Sequence, residues 1–315
     1  MHKTVLFSAL IGLSLNAFAQ SSTLSVPSNQ STAVAAPEAT LKSSTSINKK
    51  FEDDKDITDA RLKADSGSLS RYSLKFSLGY FGPPIGDLSN EMQPNPDSAV
   101  GTFETALSGS IGARYRIDTK SAISVGTGVS AITPVQGVKR YDTKNPFISY
   151  DRNARLGEVQ MRNSFGVTAV TNPAFRKIGE YAGLNYDNSL VYNLGTSKVA
   201  VGVDTSLSYY LFERGPNEKS RKERTTGRYS LGLFPQVKYN FTDKLNAYTS
   251  LAINFNNPRG TDDLSVLWNR TLSQRVGFGY AFTRDIYFAP YLNFYPKAFS
   301  ADMTTVNFST TFSIL

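Results

Sequence analysis

Cysteine is absent from the 315 residues, and the single histidine is His2. Without cysteine there is no disulfide, no thiolate metal site, no thiol nucleophile and no lipidated N-terminal cysteine. Residues 1–19 read as a secretory signal. Lys3 supplies the charged start and Val5 to Leu15 the apolar stretch. Ala17-Phe18-Ala19 places small residues at the two positions a signal peptidase reads. The apolar run is short for a membrane anchor, the other reading of this segment. Cleavage removes His2, so a mature chain beginning at Gln20 also lacks the commonest general base and the other leading zinc ligand. Most hydrolase chemistry is thereby excluded, and no catalytic residue, metal site or cofactor is predicted. A third absence concerns helices. No other stretch approaches the ~18 apolar residues that a spanning helix needs. If the chain enters a membrane, it does so as strands.

The composition fits that route. Charged residues make up 19% and aromatics 12%, with 20 Phe and 17 Tyr, and mean hydropathy is −0.28. Such a chain is too aromatic for disorder and too polar for a bundle of membrane helices. From Arg71 onward the apolar period is two, so alternate residues share one face of a strand. Between Phe103 and Asp118 one face carries Leu107, Ile111, Ala113, Tyr115 and Ile117. The other carries Glu104, Ser108, Ser110, Arg114 and Arg116. The same split recurs in ten segments.

Loop lengths give a second signal. Asp118-Thr119-Lys120, Gly195-Thr196-Ser197, Thr242-Asp243-Lys244 and Thr283-Arg284-Asp285 are tight connections of Thr/Ser-and-charge chemistry. They alternate with longer connections near 81–102, 134–176, 213–227, 256–263 and 297–303. Short turns alternating with long loops is the pattern of a membrane barrel, short turns periplasmic and long loops outside. A soluble sandwich or lipocalin-like barrel would turn its apolar face inward. Here Tyr and Phe sit at segment ends, as interface girdles do. The expected fold is therefore all-β, an antiparallel transmembrane β-barrel of about ten strands over 71–315. Leu156 to Val170 is read as a hairpin or flap inside the long connection between the third and fourth strands, 134–176. A twelve-strand barrel is the alternative.

Residues 20–70 form the expected tail. Gln20 to Asn48 is Ser, Thr, Ala and Pro with almost no large apolar residue, and is read as disordered. Lys49 to Asp65 alternates charges three or four apart, which supports a short exposed helix. Phe51, Ile57 and Leu62 are its only large apolar residues. It is read as a solvated linker, the alternative being a segment that docks in a barrel mouth.

The pattern from Arg71 to Leu315, with the terminal strand Thr304 to Leu315, resembles the outer-membrane β-barrel superfamily of Gram-negative bacteria. In that family the last strand is an assembly signal that usually ends in Phe; here Phe308 and Phe312 precede Ile314-Leu315. The resemblance implies an outer-membrane location, both termini periplasmic, insertion by the β-barrel assembly machinery, and contact with outer-membrane lipid. Ten-stranded outer-membrane proteases and twelve-stranded outer-membrane phospholipases resemble this chain in strand number only, and both use a catalytic histidine.

Two groups of candidate functional residues follow. The strand register turns Lys75, Glu104, Arg114, Arg116, Asp187, Asp204, Lys238 and Arg275 into the lumen. Their mixed signs suit pairing across it, and inward Tyr210, Phe234, Tyr248, Tyr287, Tyr291 and Tyr295 add bulk. The basic loop Arg214, Lys219, Arg221, Lys222, Arg224 and Arg228 suits the phosphates of lipopolysaccharide, and no nucleic-acid motif accompanies it. The expected role is a structural or surface-interaction barrel with long loops and a largely filled lumen. The alternatives are a narrow channel for small polar solutes and, less favoured, a histidine-independent enzyme. Nothing in the sequence sets an oligomeric state.

Overall fold

The computed structural model describes residues 49–96, 103–213, 227–259, 264–265 and 267–314. The signal segment and residues 20–48 lie outside the described residues. Twelve strands form the wall: β1 (Tyr72–Pro84), β2 (Ala106–Arg116), β3 (Ser121–Ile132), β4 (Arg140–Leu156), β5 (Val159–Ala169), β6 (Glu180–Asn193), β7 (Val199–Phe212), β8 (Gly227–Asn240), β9 (Leu245–Pro258), β10 (Ser273–Thr283), β11 (Ile286–Phe294) and β12 (Thr305–Ile314). Each is antiparallel to its neighbours in sequence. β1 pairs with β12, from Leu74 opposite Ile314 to Tyr80 opposite Phe308. That pairing closes the sheet, so no spanning strand keeps a free edge, the condition for crossing a bilayer as strands.

The period of two produces the two faces. Leu74, Val125, Ile148, Phe165, Leu184, Val237, Phe278 and Leu292 are exposed on the outside. Their neighbours Ser73, Ser124, Asp151, Lys238 and Thr311 are buried on the inside. A soluble fold would bury the first set; here the apolar belt faces outward, where lipid covers it. Aromatic pairs mark its short-turn end: Tyr72 with Tyr115, Tyr239 with Phe241 and Tyr280 with Phe282. They hold the interface level where one end of a ring is wet and the other apolar.

The strand count is twelve, not ten. Residues 140–156 and 159–169, read from sequence as part of a long connection, are β4 and β5. They join through Gly157 and Glu158, and Gly157 adopts φ +58°, a conformation that favours glycine. Pro146 and the charges of 142–152 disguised β4. The proline sits where the β3–β4 register shifts between Thr127 and Val129, and irregularities of this kind are where a strand tolerates proline. Asp151, Asn153, Gln160 and Arg162 are buried on the inner face, answered by partners far away in sequence. Adding a pair of strands keeps the number even. The four short turns read from sequence therefore remain at one end, together with both ends of the barrel domain.

The lumen is not filled by the wall alone. Residues 49–70 form a loop that enters from the short-turn end and returns to it. Its base is pinned where Lys50 bridges Ser70, with Phe51 N donating to Leu69 O and Arg71 N to Lys49 O. At its tip lies the helix α1 (Ala60–Asp65). The solvated linker expected from sequence is thus an ordered plug.

Candidate functional site

The plug touches nearly every strand, which only a segment inside a closed barrel can do. Asp59 caps α1, its side chain accepting from Leu62 N. The N–H groups of Thr58 and Asp59 both donate to Gln160 Oε1 on β5, at 2.6 and 2.9 Å. Asp59 accepts from Lys238 Nζ on β8 at 2.9 Å. Arg61 grips Asp204 on β7 through both of its terminal nitrogens. Ser66 Oγ bonds Asn153 on β4 at 2.9 Å, and Thr311 Oγ1 on β12 donates to Asp65 at 3.2 Å. Lys75 on β1 donates to the Asp65 carbonyl.

Two small apolar contacts complete the seat. Ile57 and Leu62 pack with Val191 and Ala200, all at 1% exposure or less. Ala64 packs with Ala281, Tyr287 and Ala289, flanked by Ala60 and Tyr248. These inward apolar residues break the polar rule of the lumen. Val191 and Ala200, set in rows of Gly, Ser, Asn and Asp, together with Ile57 and Leu62 in a charged tail, are the sequence signal that marks the plug.

Where the helix ends, Gly67 takes φ +69° and turns three successive carbonyls toward arginines. Arg114 donates to Ser66 O; Arg116 donates to the carbonyls of Ser66, Gly67 and Ser68. Arg284, on the β10–β11 turn, donates to Gly67 O at 2.7 Å and pairs with Asp53 at 2.8 Å. Lys120, on the β2–β3 turn, pairs with Asp56. Burial raises the Asp59 carboxyl, but Lys238 and Arg61 outweigh it and hold the group below its ordinary value. Asp65, with a weaker set of cations around it, is raised by burial. Burial opposes the Arg61 charge, yet Asp204 dominates and holds it firmly protonated.

Five of the eight lumen residues read from sequence therefore bind the plug: Lys75, Arg114, Arg116, Asp204 and Lys238. From sequence these charges are expected to pair with one another across the lumen and close it; in the structure these five pair with the plug instead. The wall's own pairs run between nearby strands, where Asp151 is shared by Arg114 and Arg162. Asp187 and Arg275 line a cavity of about 100 Å³ beside Arg61, with Phe234, Tyr248 and Tyr291. Arg275 lies over the rings of Phe234 and Tyr291 at 5.7 and 5.4 Å. Glu104 is a correction. It belongs to a two-residue pairing of Phe103–Glu104 with Met92–Gln93 in the first long loop, and bonds Lys139 at 3.0 Å. β2 begins only at Ala106, because Thr105 N turns to Glu91 O. Of the basic loop, Arg214, Lys219, Arg221, Lys222 and Arg224 lie outside the described residues; Arg228 sits at the start of β8 and reaches the Arg259 carbonyl at 3.5 Å.

Of the inward aromatics, Tyr210, Phe234, Tyr287 and Tyr291 are buried in the β7–β11 side, with Tyr210 Oη 3.0 Å from Ser230 Oγ. Among the described residues no group of three or more metal-ligating side chains converges.

No protein-family model matches the chain, and no curated protein does. Solved structures do. An outer membrane channel from Pseudomonas putida F1 aligns over 78% of this chain and 96% of its own, at 12% identity and TM-score 0.45. The outer membrane protein OprD from Pseudomonas aeruginosa aligns over 77% and 65%, at 12% identity and TM-score 0.34. Outer membrane phospholipase A from Escherichia coli, an active-site mutant, aligns over 76% and 90%, at 9% identity and TM-score 0.33. By its own architecture, an even-numbered closed antiparallel sheet with an apolar outside and a polar inside, the chain has the fold of the outer-membrane β-barrels.

Proposed function

We propose that the protein is a narrow passage for small polar solutes, closed from its periplasmic end by its own residues 49–70. The observation that carries this reading is the nature of the seal. A lumen meant only as a solid core would be filled by the wall's side chains. This one is filled by a separate loop whose large apolar contacts are Ile57 and Leu62, while the rest of its hold is hydrogen bonds and ion pairs. Polar contacts of that kind exchange with water at modest cost, whereas an apolar core does not. Barrels whose interior is plugged by loops or a helix are an established architecture. Both termini and the short turns lie on the periplasmic side in this reading, and the long loops face outward.

The test is planar-bilayer conductance of the refolded full chain and of a chain lacking residues 20–70, each shown to be folded by heat-modifiable gel mobility. Few or no steps from the full chain, and steady steps after removal of the plug, are expected. Silence from both folded forms sinks the passage and moves the function to the long loops, as a surface-interaction barrel.

A further inference from the structure

The wall addresses the plug with cations. Lys75, Arg114, Arg116 and Lys238 on the strands, and Lys120 and Arg284 on the short turns, all donate to it. Among the described residues one wall acid, Asp204, returns the favour to Arg61. Neighbouring acids offset only part of this. Asp151 is shared by Arg114 and Arg162, Asp285 pairs with Arg284, and Asp187 faces the cavity beside Arg162. The plug is not strongly acidic, since residues 49–70 hold six acids and five bases. What matters is direction. Asp53, Asp56 and Asp59 and the carbonyls of residues 65–68 point at the wall, while Lys63 turns back to Asp53 within the plug. Arg116 is 1% exposed and donates to three plug carbonyls. A guanidinium so placed needs oxygen partners, and a carboxylate or phosphate supplies them better than water does.

We propose that the plug is the chain's own stand-in for an oxyanion. When it withdraws, the cluster of Lys75, Arg114 and Arg116 on the adjacent strands β1 and β2 takes small multiply charged oxyanions, phosphate or a short dicarboxylate, and with Lys238 across the lumen on β8 the open barrel passes anions ahead of cations. Rings of Lys and Arg are the chemistry of anion-selective pores. The selectivity half of this rests on the passage reading above; the oxyanion site does not.

Two measurements on the full chain test it. The first uses Asp59→Asn with Arg61→Gln, which loosens the plug, freeing Lys238 from Asp59 while leaving all four wall cations unsubstituted, and reads the reversal potential across a KCl gradient. Chloride is expected to be preferred several-fold, and adding Lys75→Gln with Lys238→Gln is expected to move the potential toward zero. An equal or potassium-preferring channel overturns the proposal. The second uses the unaltered protein and follows tryptic cleavage at Lys55, Arg61 and Lys63. Inorganic phosphate or malonate, by competing for the Lys75, Arg114 and Arg116 cluster, is expected to speed cleavage several-fold over sodium chloride of the same ionic strength. The faster of the two identifies the kind of oxyanion. Equal rates in all three salts overturn the oxyanion site. Cleavage that responds to phosphate or malonate in a protein that never conducts upholds the site and removes only the passage.

Discussion

Arg61 and Asp204 stand 143 positions apart in the chain, yet their four terminal atoms form a parallel fork, Nη1 to Oδ2 at 2.7 Å and Nη2 to Oδ1 at 2.6 Å. The pair joins the tip of the plug to the middle of the wall, and Gln236 Nε2 adds a third bond to the same carboxylate at 3.1 Å. It is the contact through which the plug's position in the lumen is most directly read.

Removing either partner leaves the other charge in the lumen without its match. Arg61→Ala is expected to weaken plug docking by about 3 kcal/mol, and Asp204→Ala somewhat less, because the Arg61 it leaves behind keeps partial exposure. Tryptic cleavage at Lys55 and Lys63 measures it. A double-mutant cycle with both alanines tests whether the two residues act through each other. Additive effects would show that they do not.

Gly67 holds φ +69°, and a Cβ there would lie 3.1 Å from Arg114 Nε. Gly67→Ala is expected to cost roughly 1 kcal/mol in backbone strain and to push Arg114 off the Ser66 carbonyl. Faster plug cleavage with unchanged heat-modifiable mobility is the expected result. An unchanged cleavage rate would mean that the carbonyl turn does not hold the plug.

Neighbouring positions on β6 test the faces of the wall. Leu184 is exposed and lines an apolar groove of about 570 Å³ on the outer surface, with Phe165, Val167 and Leu207. Asn185 points inward, bonding Thr168 Oγ1 at 2.9 Å and Ser208 Oγ at 3.0 Å. Leu184→Arg, in the lipid belt, is expected to cost on the order of 2–4 kcal/mol and to impair insertion. Asn185→Arg is expected to be milder. Equal damage from both would place the faces wrongly.

Acid loosens the plug from a definite side. Asp59 is held below its ordinary value, as is Asp53, where burial opposes the shift but Arg284 and Lys63 prevail. Each therefore contributes stability that is present above the ordinary carboxylate range and lost as pH falls through the lowered value. Asp65, raised by burial, works in the opposite sense and is relieved on protonation. Release is thus expected below about pH 4, not in the range where Asp65 titrates. Pepsin cleavage near Phe51 and Leu62, followed against pH, checks it. Release beginning near neutrality would assign the hold to other groups.

Truncation separates the two parts of the tail. Deleting residues 20–48 leaves every described plug contact in place and is expected to leave the barrel's heat-modifiable mobility and plug protection unchanged. Deleting residues 20–70 uncovers Arg114 and Arg116 and is expected to lower the unfolding temperature of a barrel that still inserts. Loss of mobility in the shorter deletion would tie residues 20–48 to folding.

The sheet was legible because its code is local. Alternation at Tyr72 to Tyr80 or Val199 to Leu211 states directly which residue meets lipid. A turn such as Thr283-Arg284-Asp285 states where the strand reverses. β4 was hidden for the same reason, since Asp151 and Asn153 look like loop residues to a reading that sees only neighbours. The stretch that forms β5 is visible within Leu156 to Val170 and underlies the twelve-strand alternative, but without its partner strand it reads as a flap.

The sequence by itself therefore determined the class of fold, the side of each strand that faces lipid, the even strand number with both ends together, and the inward direction of Lys75, Arg114, Arg116, Asp204 and Lys238. Those properties follow from a two-residue period and from turn chemistry, which need no distant partner. Only the tertiary structure decided that there are twelve strands, that residues 49–70 occupy the lumen, and that the inward charges answer to the plug. Each depends on contacts between residues far apart in the chain, such as Arg61 with Asp204 or Asp59 with Lys238. A buried charge records only that it needs a partner, and closure of the barrel selects which one it meets.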